Sequence, residues 1–460
     1  MSISLSSSLS VLLIFFSIGA GAVVPASKTF KFVNEGSLFQ DFYDPNEYNA
    51  NYRYTDISGR VFMLCFYNTT PNAYTLGMRM GYQPSDNPIY FKWIWDANRG
   101  NPVREKAALT FHADGNLVLS DADGKMAWQT ATSNKGVVDL KLLSNGNLVL
   151  LDKKGKFVWQ SFDHPTDTLL VGQALRPGGP TRLVSRVSDK DVSDKDGSED
   201  LYSFVMESTR LALYLESKEP DSPMLYYTNG ENPTGTNPVV SMVFNVAAET
   251  TENYAYELRY EFHEESETSP RPKYEWTTIL ARPNYNSTYS FLRLESDGDL
   301  KIHTFYDKVD YSAWEVTYSL FGKEGFGSKN QCKLPKKCGS LGVCDKNQCV
   351  ACPSPKGLKG WSESCAPPRL SECMGPTNVD YYKVVGVEHF TSEYNDGGGP
   401  ASAIKCQEKC SMSCSCLGAF YREESSMCLL VSELGTLSKV SNNSHIAYIK
   451  MPKYAKMASW

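Results

Sequence analysis

Side chains able to carry chemistry are thinly spread through this 460-residue chain, and none of them falls into a catalytic or metal-binding spacing. The six histidines, His112, His164, His263, His303, His389 and His445, stand far apart, with no pair at the helical spacing that puts two imidazoles on one face for zinc. Asp163-His164 has the composition of an acid–base dyad, but Pro165 and its neighbours are turn formers, so the pair reads as a structural corner. No Gly-x-Ser-x-Gly elbow and no phosphate-cradling glycine loop occurs. The acidic run VSDKDVSDKDGSED, residues 187–200, lacks the alternating acids and closing Glu of a calcium loop and reads as a solvated insertion. Cys349-x-x-Cys352 could start a zinc site, yet it lies among six cysteines within 34 residues, a density typical of disulfides. The chain therefore reads as a binding protein rather than an enzyme, with no cofactor and no metal.

Of thirteen cysteines, twelve fall between Cys332 and Cys428, which indicates small modules stapled in an oxidising compartment. The remaining one, Cys65, has apolar flanks and reads as a buried thiol. The first 22 residues carry no charge, contain the apolar run Val11 to Ile18 and end in Ala20-Gly21-Ala22, the pattern of a cleaved secretory signal. No later segment is apolar for long enough to span a bilayer. The net charge of −6 is read as spread along the whole chain, without a basic face, which argues against nucleic acid or an anionic membrane as partner. In a secreted chain Asn68, Asn286 and Asn442 are N-glycosylation sequons.

The elements that must position any site are hairpins. FHADGNLVLSDADGKMAWQT, residues 111–130, returns as LLSNGNLVLLDKKGKFVWQS, residues 142–161: a turn, a leucine-rich strand, a second turn and a strand ending in Trp-Gln. A weaker copy, YFKWIWDANRGNPV, places Trp95 about one period ahead of Trp128 and Trp159. One hairpin cannot bury its own apolar face, so three such units are expected to close on each other with the tryptophans as shared core. Residues 201–320 return to short aromatic strands, and LRLESDGDLKIHTF repeats the hairpin with Asp299 in place of Asn.

WDANRGNPV, DGNLVLSD, NGNLVLLD and VWQSFDHPTDTLL together resemble the bulb-type, mannose-binding lectin domain of plants. Over nearly the full chain the sequence is similar to the ectodomains of S-locus glycoproteins and lectin receptor kinases, and most of all to plant epidermis-specific secreted glycoproteins. The resemblance implies a mainly β chain of two tandem β-prisms followed by disulfide-rich modules: signal 1–22, bulb-type lectin domain 23–171, second prism 172–328, EGF-like module 329–368 and PAN/apple domain 369–452. It also implies the pairs Cys332–Cys344, Cys338–Cys349 and Cys352–Cys365 in the EGF-like module, which spacing alone leaves open. In the PAN domain it implies Cys406–Cys428, Cys410–Cys416 and Cys373–Cys414.

The sugar-binding strand of such lectins reads Gln-x-Asp-x-Asn-x-Val-x-Tyr, whose polar side chains hydrogen-bond adjacent mannose hydroxyls while Val packs on the ring. The matching positions here are His112, Asp114, Asn116, Val118 and Ser120 in the first copy, where three match. In the second they are Leu143, Asn145, Asn147, Val149 and Leu151, where only Asn147 and Val149 match. Strand alternation would place each set on one face. The implied function is a cell-wall or apoplastic glycoprotein that binds mannose-type glycans or glycoproteins, in extracellular signalling. The alternative is a protein-binding partner or decoy of receptor ectodomains, acting through the PAN and EGF-like modules.

Overall fold

The computed structural model describes residues 23–40, 50–59, 61–81, 91–187, 202–216, 223–229, 238–248, 254–262, 274–283, 289–307, 313–322, 329–370, 373–395 and 397–453. The signal segment, Asn286, His263 and residues 188–200 of the acidic insertion lie outside them. The described chain is mainly β, and its one α-helix is Ala403–Met412.

Three antiparallel sheets build the N-terminal body. One runs through Phe39–Gln40, Asn51–Ser58, Phe62–Thr70, Ala73–Met80 and Lys92–Asp96; the second through Phe30–Val33, Ala108–Phe111, Leu117–Ser120 and Met126–Gln129; the third through Val137–Leu142, Leu148–Asp152 and Phe157–Gln160. The last strand of each sheet contributes one tryptophan. Trp95, Trp128 and Trp159 meet edge to face, with centroids 6.0, 6.4 and 5.9 Å apart, the arrangement that aromatic quadrupoles favour. Around them Leu109, Leu117, Leu119, Leu148 and Leu150 are fully buried. Cys65, the one cysteine outside the disulfides, is buried in strand Phe62–Thr70.

The chain then enters the second body by an unusual route. Between residues 168 and 184 it lays one short strand on each of three further sheets: Thr168–Leu170 beside Ser290–Leu294, Ala174–Leu175 beside Val239–Ala248, and Arg182–Val184 beside Tyr202–Met206. Leu169, Leu175 and Leu183 each drop into the second core. Because side chains alternate along a strand, Leu170 turns the other way, into the first core. Its sheet thus serves both bodies: Leu292 and Ile302 face one core, Phe291 and Phe305 the other. The segment ahead of residue 171 is accordingly already hydrogen-bonded into the second prism.

Charges close the same junction. Asp96 and Arg99, from WDANRGNPV, meet Asp167, from VWQSFDHPTDTLL, and Arg186. Arg99 lies 2.7 Å from Asp96 and 3.2 Å from Asp167, and Arg186 lies 2.8 Å from Asp167 and 3.3 Å from Asp96. Tyr67 donates to Asp96 at 2.9 Å and Arg99 to the Val184 carbonyl at 3.0 Å. Two buried carboxylates are tolerable there because two guanidiniums face them.

The C-terminal residues form two sheets: a five-stranded one, Gly357–Gly360, Gln348–Ser354, Leu341–Asp345, Gly435–Lys439 and Val387–His389, in which Leu341–Asp345 runs parallel to Gly435–Lys439, and a four-stranded one, Val379–Val385, His445–Pro452, Gly418–Arg422 and Met427–Val431. The stretches expected as separate EGF-like and PAN modules are therefore fused edge to edge. The disulfides join Cys332 to Cys344, Cys338 to Cys349, Cys352 to Cys365, Cys373 to Cys414, Cys406 to Cys428 and Cys410 to Cys416. Ser402 caps the helix by accepting from Lys405 N–H, and Cys406 and Cys410, one turn apart, tether it to the second C-terminal sheet and the loop before it.

Candidate carbohydrate-binding site

His112, Asp114 and Asn116 do not share a strand face with Val118. They form a tight turn ahead of Leu117–Ser120, closed by His112 N–H to the Asn116 carbonyl at 2.9 Å and Gly115 N–H to the His112 carbonyl at 3.0 Å. The expected strand alternation fails because Gly115 takes φ +87°, a left-handed conformation that reverses the chain. A Cβ at Gly115 would also meet Val137 at 2.7 Å.

Within this turn Asn116 is buried and its amide is occupied. The side chain donates to Gln129 Oε1 at 2.8 Å and accepts from Thr130 Oγ1 and from Thr132 N–H, both at 3.1 Å. Asp114 accepts from Asn116 N–H at 3.0 Å and from the Ser133 hydroxyl. The Ser133 bond holds the Asp114 carboxyl below its ordinary range, so it stays ionised in mildly acidic surroundings. His112 is exposed and Val118 half-buried.

The second copy builds a similar network. Asn147 donates to Gln160 at 2.8 Å and accepts from Ser161 Oγ and Phe162 N–H, each at 3.3 Å. Here Val149 is fully buried and Asn145 replaces the carboxylate. No sugar ring could reach that valine. In the second prism Asp299 holds the same place, accepting from Ser319 Oγ at 2.6 Å and Phe321 N–H at 3.0 Å.

Only the first copy therefore presents a mouth, formed by His112, Asp114 and an exposed Gln129 that stands opposite Val118 across the ladder. Sequence reasoning did not assign Gln129 a role. Its signal was the Trp-Gln pair in both repeats, but one strand cannot show that Gln129 lies beside an asparagine thirteen residues earlier.

The corner residues are structural. His164 stacks on Trp159 at 5.4 Å, its carbonyl accepts the Trp95 indole N–H at 2.8 Å, and burial lowers its pKa. Asp163 is taken by Gln160 and Arg176. Of the sequons, Asn442 is exposed, while Asn68 is buried in strand Phe62–Thr70. Among the described residues no group of three or more His, Cys, Asp or Glu could hold a metal ion.

Residues 92–187 match the D-mannose binding lectin family. That span covers the three tryptophans, both Gly-Asn turns and the strands handed to the second prism. EP1-like glycoprotein 3 of Arabidopsis thaliana is 42% identical over 459 residues, covering 100% of both chains. This chain belongs to the EP1-like glycoprotein family. The epidermis-specific secreted glycoprotein EP1 of Daucus carota is 47% identical over 378 residues, 79% of this chain and 93% of its own. A G-type lectin S-receptor-like serine/threonine-protein kinase of Arabidopsis thaliana is 27% identical, over 92% of this chain and 46% of the kinase. Among the described residues of this EP1-like chain, no helix is long and apolar enough to cross a membrane.

Proposed function

We propose that this EP1-like protein is a secreted glycoprotein of the cell wall or apoplast that binds mannose-type glycans or glycoproteins weakly, through one site, in extracellular recognition. The site is the mouth formed by His112, Asp114 and Gln129, with Val118 opposite Gln129 across the ladder. The observation that carries this reading is the contrast between the two copies: one network, but an accessible carboxylate and a half-buried valine in the first alone. With Asn116 committed to the fold, the remaining bonds are few. Each is worth about 0.5–1.5 kcal/mol, which places affinity in the millimolar range, about −4 kcal/mol.

Retention of the full chain on mannose-agarose and on a glycan array tests the proposal. Asp114→Asn and Gln129→Glu change the charge of the mouth while each keeps a side-chain oxygen to accept from Asn116, and each is expected to abolish retention. If both variants elute with the wild type, the sugar is held elsewhere or not at all.

A further inference from the structure

We propose that the EGF-like module carries a second, independent site, for an acidic polysaccharide: a linear chain of uronic acid units lying along the hairpin Gln348–Ser354 and Gly357–Gly360. The first observation is charge. Residues 329–369 hold eight Lys and Arg against two Asp and Glu, in a chain whose net charge is −6. The even spread of charge expected from composition is thus incorrect here. Folding leaves most of this excess in place. Lys333 and Lys336 are taken by Glu393 and Glu433, at 3.6 and 3.1 Å, and Asp345 by Lys439 at 2.9 Å. Lys337, Lys346, Lys356, Lys359 and Arg369 are left exposed, with no ion pair among the described residues, beside the single exposed acid Glu363.

The second observation is placement. Lys346 occupies the tight turn before Gln348–Ser354, at φ +47°, and Lys356 the turn after it. Seven strand residues hold them apart by roughly 20 Å. Lys359 stands between, opposite Cys352 in register, and the Lys337 carbonyl lies 3.4 Å from Cys349 Sγ. Cations strung along an edge suit a linear polyanion better than a compact phosphate. Lysines also act as separate point charges rather than as planar forks for phosphate.

The third observation is an anchored aromatic. Trp361, two residues beyond Lys359, donates its indole N–H to the Cys338 carbonyl at 3.4 Å yet remains 37% exposed, and Val350 on the neighbouring strand is 44% exposed. An indole fixed at its polar end and open on its face is a platform for the apolar face of a sugar ring. The Cys338–Cys349 and Cys352–Cys365 bridges both pin strand Gln348–Ser354, so little ordering cost remains there on binding.

The test is binding of the full chain to immobilised polygalacturonate, to neutral mannan and to phosphatidylglycerol vesicles. Retention on polygalacturonate is expected at about 50 mM salt, weakening at least tenfold by about 500 mM as counterions compete. The Lys356→Gln, Lys359→Gln double variant, altered only at exposed positions, should lose about tenfold in affinity with unchanged melting. Trp361→Ala should weaken binding while the salt response persists. Three outcomes would overturn the proposal: no retention at low salt, equal binding by the double variant, or tighter association with vesicles than with polygalacturonate. The mannan arm reads the Asp114 mouth alone, so failure of either site is seen separately.

Discussion

Three turns in two prisms share one design around a buried hub residue: Asn116, Asn147 and Asp299. The amide serves twice as a neutral hub for backbone and hydroxyl donors. In the third turn a carboxyl does the same work, and burial lifts its pKa to about 6, outweighing Lys301 at 3.8 Å. Between the ordinary carboxylate range and pH 6 the folded protein keeps a proton that the unfolded chain has released. Stability from this group is therefore full near pH 4 and is lost as pH rises through 6. Asp299→Asn should flatten that dependence and raise stability at neutral pH by about 1–3 kcal/mol, with little change near pH 4. Urea midpoints at the two pH values check it; a variant less stable at both would show that the carboxylate itself is required.

At the scale of elements, the hairpins are held by what lies between sheets rather than within them. Gly146 shows this most directly. It takes φ +84°, and a Cβ there would meet Phe62 of the first sheet and Leu170 of the junction strand, each at 2.7 Å. A Gly146→Ala chain must bear both left-handed strain and overpacking, together about 2–4 kcal/mol. Gly124→Ala, at a similar φ of +85° but facing open space, bears only the first. Thermal melts of the two variants should differ by several degrees. Equal melts would mean that the turns do not couple the sheets.

At the scale of the whole molecule, the signature strings act as a lock between bodies. Asp167 faces both Arg99 and Arg186, so Asp167→Ala leaves two guanidiniums short of a counter-charge at a buried junction. A loss of about 3–5 kcal/mol is expected. Because the strands between 168 and 184 commit the junction to the second core, the loss should also split a single calorimetric transition into two. A variant that still melts as one unit would place the coupling in the shared sheet instead of in the charges.

Much of this protein was legible from its residues. Tryptophan spacing and the Gly-Asn turns dictate the hairpins, since positive φ and a lone apolar face each admit few solutions, and the clustering of twelve cysteines marks the stapled end. Other features needed the third dimension because they join residues distant in sequence. Gln129 answers Asn116 across a ladder, Asp96 and Asp167 share two arginines, and strand Leu341–Asp345 pairs in parallel with one almost a hundred residues later. Whether Asp-Gly-Asn offers its amide to solvent or spends it on the fold was likewise undecidable from the tripeptide. An asparagine has the same donors either way, and only the positions of Gln129, Thr130 and Thr132 around it determine where they point.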